Sequence, residues 1–402
     1  MNEAALKSLL RETPIPGDEA AERRGREVVG EAFAQRRRPR RNPLPRLALA
    51  MAIVALLAAL LLTPAGAAVR DWVDDVFTAG VPNAEPGLTG IPGGGRLLVQ
   101  TPAGPWVVQP DGSRRLLGDY GGATWSPRGL FVGAVGGRTL SAVEPDGTPH
   151  WSLSSAATVS DPRWSPSGFQ VAYRSGAQLR VVGADGSDDR LLDPSVEPIA
   201  PAWGPSAPGL VAYIDADGSL RVAGIDSEGN ASASAAAPGI VNLEWAGGSS
   251  TLLESSPGSL RVRSLTVDKL AARLDIGPPR ELALPTGNGV RDAALSPGGD
   301  IVAALLTPHS SGLPRSLVVL FDLRSGESRR LLSTPGRLAQ LAWSPDASRL
   351  LISWPDADQW LFVPTEGRAR VRAVGQISEQ FAPGRPDSAF PRIEGWCCPP
   401  GA

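Results

Sequence analysis

A chain of 402 residues with a net charge of −2 and a pI of 5.9 has no global field for nucleic acid. Its two cysteines, Cys397 and Cys398, are adjacent and form no CxxC pair, and its only histidines are His150 and His309, which argues against a zinc site of the usual Cys/His kind. Lysine occurs only at Lys7 and Lys269, so 37 of the 39 basic residues are arginine.

Residues 1–46 are polar and basic. A short helix starts near Asn2, with Glu3 and Lys7 four apart, and is broken at Thr13-Pro14-Ile15-Pro16. A second helix is predicted from Asp18 to about Gln35, laced by Glu19–Arg23 and Glu22–Arg26. Neither has enough apolar surface for a core, so this segment is expected to fold against a partner or to stay mobile.

Arg36, Arg37, Arg38, Arg40, Arg41 and Arg46 directly precede residues 47–69, which are 23 residues without a charged side chain. As a helix these would extend about 35 Å, enough to cross roughly 30 Å of hydrocarbon. The arginines set the topology: residues 1–46 in the cytoplasm and the rest outside it, on a single-pass signal anchor in the cell membrane. Cleavage after the small-x-small triplet Ala65-Gly66-Ala67 is the alternative, although the leading segment is long for a secretory signal. Residues 70–94 read as a linker, with Pro82, Pro86, Pro92 and Gly93-Gly94-Gly95 against regular structure.

Residues 95–399 are organised by repetition. The phrase tryptophan-serine-proline followed by a glycine turn recurs, whole or in part, at Trp125, Trp164, Trp203, Trp245, Leu295, Trp343 and Trp396, in steps of 39, 39, 42, 50, 48 and 53 residues. A period of forty to fifty residues built from short strands indicates a β-propeller. At the Trp164 copy, strands are predicted at 162–164, 169–174, 178–182 and 190–192, with Asp185-Gly186 as a hairpin turn. Blade one resembles it, with strands at 130–134, 139–143 and 150–153 after Trp125. Blade three shows only two strands after Trp203, and blade four carries an insertion at 266–279. Three strands at 96–100, 106–109 and 114–117 lack an anchor strand, and 390–396 is an anchor strand with nothing after it. Joining the two ends closes a seventh blade and removes exposed edges. The fold class is therefore all-β, a seven-bladed propeller, with six blades the alternative. The repeated anchors wedge between blades as structural residues.

The run Trp164-Ser165-Pro166-Ser167-Gly168, followed by Val171-Ala172-Tyr173, resembles the WD-repeat-like (PD-repeat) propellers of TolB-type proteins over about residues 95–399. The resemblance implies a bacterial, extracytoplasmic, protein-binding platform. The chain departs from that family in having a basic segment and a membrane span where an α/β domain would stand, and in counting seven blades rather than six. In this layout it is similar to membrane-anchored actinobacterial propellers.

No residue pattern adds chemistry. There is no Gly-x-Ser-x-Gly elbow, no Walker or Rossmann pattern, and Gly93-Gly94-Gly95 lacks the lysine and spacing of a phosphate loop. His150 follows a hairpin turn and His309 lies in the loop from Pro308 to Pro314, so neither is expected to be catalytic. The expectation is a non-enzymatic platform without cofactor or metal that binds a protein or another ligand. The alternatives are a transmembrane sensor acting through residues 1–46 and a propeller enzyme using channel residues. Cys397 and Cys398 stay open among a buried structural pair, a vicinal disulfide and an intermolecular or redox role.

Overall fold

A computed structural model describes residues 84–204, 209–225, 232–246, 249–268, 273–309, 314–367, 370–382 and 389–398. All belong to one unit, Asp74–Ala402, of the two into which the chain divides. The expected cytoplasmic segment 1–46, the topology-setting arginines, the membrane span 47–69 and the first part of the linker lie outside the described residues. Among the described residues no helix is long and apolar enough to cross a membrane.

The unit is a propeller of seven antiparallel sheets. Their inner strands are Gly122–Trp125, Val159–Trp164, Ala202–Trp203, Asn242–Trp245, Asn288–Leu295, Leu341–Trp343 and Arg392–Cys397, and they number blades one to seven. Each inner strand touches the next, and the seventh touches the first, so they line a central channel. The six-blade alternative is thereby corrected: the copies at Trp245 and Leu295 each carry a sheet of their own.

Blade seven joins the two ends of the propeller. Arg392–Cys397 pairs antiparallel with Arg96–Thr101, with Leu97 opposite Trp396 and Leu98 opposite Gly395. Strands Gly104–Val108 and Arg114–Leu116 complete that sheet. Every blade is thus flanked by two others and has no free face. Among the described residues, seven apolar clusters fill the seven seams. Leu97 and Val99 pack toward blade six with Trp360 and Phe362, while Leu98 between them packs toward blade one with Ala123 and Val132. Side chains alternate across a strand, so one strand feeds two seams. This is why Leu210–Ile214 is apolar and buried along its whole length.

The repeated serine has a specific task. Its hydroxyl accepts the backbone N–H five residues on: Ser126 from Phe131, Ser165 from Gln170, Ser296 from Ile301 and Ser344 from Arg349, at 2.9, 3.1, 3.0 and 2.9 Å. This latch closes the turn between the first two strands of a blade. The turn ends on a left-handed residue, which is glycine at Gly129, Gly168 and Gly299 but alanine at Ala347, with φ of 59°.

Three features differ from the expectation. Blade three has a fourth strand, Ser232–Ala236, whose alternating Ser and Ala carry too little apolar signal to be seen in sequence. The blade-four insertion is a hairpin: Leu260–Asp268 runs on past the sheet and pairs with Arg273–Ile276. A five-residue helix, Ile377–Phe381, follows blade six and sets Phe381 against Trp106 and Trp360, 5.8 and 5.4 Å between ring centres. Residues 84–94, the described part of the expected linker, carry no strand but lie on the propeller. There Glu85 pairs bidentately with Arg372, and Leu88 and Ile91 join the seam of blades six and seven.

Candidate functional site

The seven anchors sit at equivalent places, where each inner strand meets its turn. The Trp203 indole donates to the Arg163 carbonyl of blade two at 2.8 Å, and that of Trp343 to Ala294 of blade five at 3.0 Å. The Trp245 ring lies so close over blade three's Gly204 that a Cβ there would stand 2.6 Å from it. Trp164 packs on Gly133 and Trp125 near Gly395, again on the preceding blade. Trp396 meets Phe362 edge-on at 5.7 Å and donates to Gly94 at 2.8 Å. Leu295 is buried in the seam of blades four and five. All seven are thus occupied in packing.

Below the anchors, polar side chains tie neighbouring inner strands together. Glu244 of blade four accepts the Leu295 N–H at 2.9 Å, and Asp292 of blade five accepts the Leu341 N–H at 2.8 Å. Gln340, ahead of blade six's strand, accepts from Ile393 N–H at 2.9 Å and donates to its carbonyl at 3.3 Å. These strands enclose a channel cavity of about 330 Å³, lined by Glu244, Leu295, Leu341, Trp343, Ile393 and Trp396 among others. Glu244 is half-buried and lines this cavity. Burial pushes its carboxyl up to about 8, against the pull of the Leu295 N–H and with a smaller push from Asp292. Burial likewise raises Asp292 to about 6, opposed by the N–H groups of Leu341 and Ala293.

Raised carboxyls in a cavity can mark a general acid. Here each holds the next strand's backbone, and no histidine accompanies them. His150 lies on the outer strand of blade one, its ring tilted against Phe131 with 4.7 Å between ring centres, and His309 is exposed in the loop after Pro308. Among the described residues no group of three or more His, Cys, Asp or Glu is placed to hold a metal ion.

A second concavity opens between blades five and six. It has a volume of about 610 Å³ and is lined by Arg291, Arg315 and Arg337, with Pro308, Pro314 and Pro355 as apolar wall and Asp356 as an acidic neighbour. Arg291 is the extra residue of a β-bulge: Val290 faces Leu306 and Asp292 faces Leu305, leaving Arg291 without a partner in the ladder. Arg315 opens the third strand of blade five and donates to Ser333 Oγ at 3.0 Å. Arg337 follows Gly336, which has φ of 89° and donates to the Pro314 carbonyl at 2.7 Å. Sequence reasoning missed this site, because its arginines come from two strands and a connection; the one local signal was the extra residue at 291.

Cys397 and Cys398 are buried at the end of blade seven, sulfur beside sulfur, against blade one's turn. Cys397 Sγ lies 3.8 Å from the Ser126 carbonyl. Arg96 stands over the Trp125 ring at 5.1 Å, donates to Gly129 O at 2.8 Å and lies 4.0 Å from Cys398 Sγ. A side chain at Gly129 would collide with the sulfurs.

No family model and no curated protein matches the chain. Among solved structures, Hsv2 of Kluyveromyces lactis is similar at 13% identity, over 69% of this chain and 93% of that one, with a TM-score of 0.50. The Swd1 (Cps50) β-propeller domain of Myceliophteria thermophila is similar at 14% identity, over 66% and 94%, with a TM-score of 0.49. Likeness at this identity concerns the fold alone, and the fold is a seven-bladed, WD40-like β-propeller.

Proposed function

We propose that this chain is a single-pass membrane protein whose propeller stands outside the cytoplasm and acts as a non-catalytic platform for a protein partner. The observation that carries the platform reading is the arginine-lined cavity between blades five and six. It is a concavity on a closed ring of seven blades, walled by arginines able to receive a partner's groups. The channel carboxylates, the other candidates for chemistry, are engaged in joining strands. What supports the membrane part is the sequence: an uncharged stretch at 47–69 behind six arginines. The TolB-type resemblance supports the same placement.

The test is a crosslinked pull-down from native membranes, with the full chain and with a form lacking residues 2–35, which keeps the arginines that set topology. Partners retained by the shortened form support the platform. A cytoplasmic partner lost with residues 2–35 would replace it with a transmembrane sensor. Alkaline extraction, followed by protease added to intact cells, checks the topology: release from the membrane, or a propeller protected from protease, would sink that part.

A further inference from the structure

We infer that the cavity between blades five and six takes an acidic peptide segment of the partner, its carboxylates received by Arg291 and Arg337 with Arg315 at the wall. This rests on the platform reading and names the chemistry of its site.

Charge is the first ground. The guanidiniums of Arg291 and Arg337 line the cavity beside one carboxylate, Asp356, while Arg315, at the wall, is engaged with Ser333. Asp356 is turned to another use, since its Oδ2 accepts the backbone N–H of Arg337 at 2.9 Å. Among the described residues, the guanidiniums of Arg291 and Arg337 are in no ion pair, whereas Arg174, Arg180, Arg221, Arg263 and Arg372 each meet a carboxylate. Both side chains are exposed. A planar guanidinium fork fits a carboxylate bidentately, and two forks in one concavity select a ligand with more than one acid group.

Construction is the second ground. The bulge at Arg291 breaks the ladder of blade five's inner strand, and a bulge re-aims the side chain it carries. Arg337 is set at the rim by its own N–H and by the left-handed Gly336 before it. Prolines 308, 314 and 355 lend apolar wall without backbone donors, so recognition falls to the arginines. A volume of about 610 Å³ is in the range of sites that enclose a short segment, not a whole domain.

The experiment uses fluorescence anisotropy with a labelled hexapeptide of alternating Asp and Glu, its Asn and Gln counterpart, and the purified full chain in detergent. The acidic peptide is expected to bind, the neutral one not to, and added salt to weaken binding. Arg291→Gln with Arg337→Gln should raise Kd about tenfold or more. Asp356→Asn keeps an acceptor for the Arg337 N–H and should lower Kd, a gain that misfolding cannot imitate. Equal binding of the two peptides, an unchanged Kd in the double variant, or binding of inorganic phosphate with none of the peptide would each overturn the inference. Partners still captured by the double variant in the pull-down would leave the platform standing while removing this site from it. Capture of none by the unaltered chain would remove the platform itself.

Discussion

Replacing Glu244 by Gln should flatten the dependence of stability on pH. The carboxyl has an ordinary value of 4.5 and stands at about 8 in the folded chain. Below pH 4.5 it is protonated in folded and unfolded chains alike. Between the two values the unfolded chain releases a proton that the folded chain keeps, so stability falls as pH rises and the loss is complete above about 8. At about 1.4 kcal/mol per pH unit the full loss would be about 5 kcal/mol. Water in the channel screens part of this, so the expected loss is on the order of 2 to 4 kcal/mol. Gln keeps an oxygen for the Leu295 N–H and carries no charge, so the variant should match the unaltered chain at low pH and exceed it at high pH. Urea unfolding of the full chain at about pH 6, 7 and 9 measures this above the range where Asp292, raised to about 6, contributes most. Equal losses for Glu244→Gln and the unaltered chain across that range would refute the claim that a buried Glu244 keeps its proton.

Gly204→Ala should destabilise by about 1–3 kcal/mol in the same unfolding assay, because the new methyl would meet the Trp245 ring at 2.6–2.8 Å; a neutral result would mean that the ring can withdraw. Trp343→Phe should cost more than Trp164→Phe by about 1 kcal/mol. The first strands the Ala294 carbonyl, while the second removes an indole N–H that already lacks a partner. Ala347→Gly should raise the melting temperature, as it relieves a left-handed alanine worth about 1 kcal/mol; a fall would mean that unfolded-state entropy outweighs the strain. Under non-reducing conditions Cys397 and Cys398 should resist alkylation, and the intact mass should be lighter by two hydrogens than after reduction. Two alkylated thiols would contradict a vicinal disulfide.

What the sequence made legible follows from how strongly each feature depends on local residues. A tryptophan at a blade seam and a serine that latches a turn act within a few residues of themselves, so their spacing revealed the ring, its count and its closure through Arg392–Cys397. The Ser232–Ala236 strand was invisible because its neighbours, not its own side chains, hold it in the sheet: five antiparallel pairs join it to Ser219–Gly224 and its alternation is only Ser against Ala. The helix Ile377–Phe381 was missed because five residues give no period to read. The ties from Glu244 and Asp292 cross between blades about fifty residues apart, and nothing in either local sequence points to the other end. The arginine cavity fails for the same reason, since only folding brings residues 291, 315 and 337 to one wall.

The repeat is irregular where the cavity lies. Blade five has Leu295 in the tryptophan position, carries the bulge at Arg291, and has strands of eight residues, among the longest of the described blades. Blade six adds a single-turn helix at Pro355–Ala357 and the left-handed Ala347. In a ring whose stability comes from like seams, each departure weakens local consistency, and a sequence under selection for stability alone would remove it. Trp343 still buries its ring against blade five and Ser296 still latches its turn, so the packing of blade six on blade five is kept. The bulge carries Arg291, the start of the third strand carries Arg315, and the connection to blade six carries Arg337. A departure from the repeat that gathers arginines at one cavity fits a ligand better than packing, and the proposed acidic segment accordingly falls to blades five and six rather than to the channel, whose carboxyls already accept backbone N–H groups of neighbouring strands.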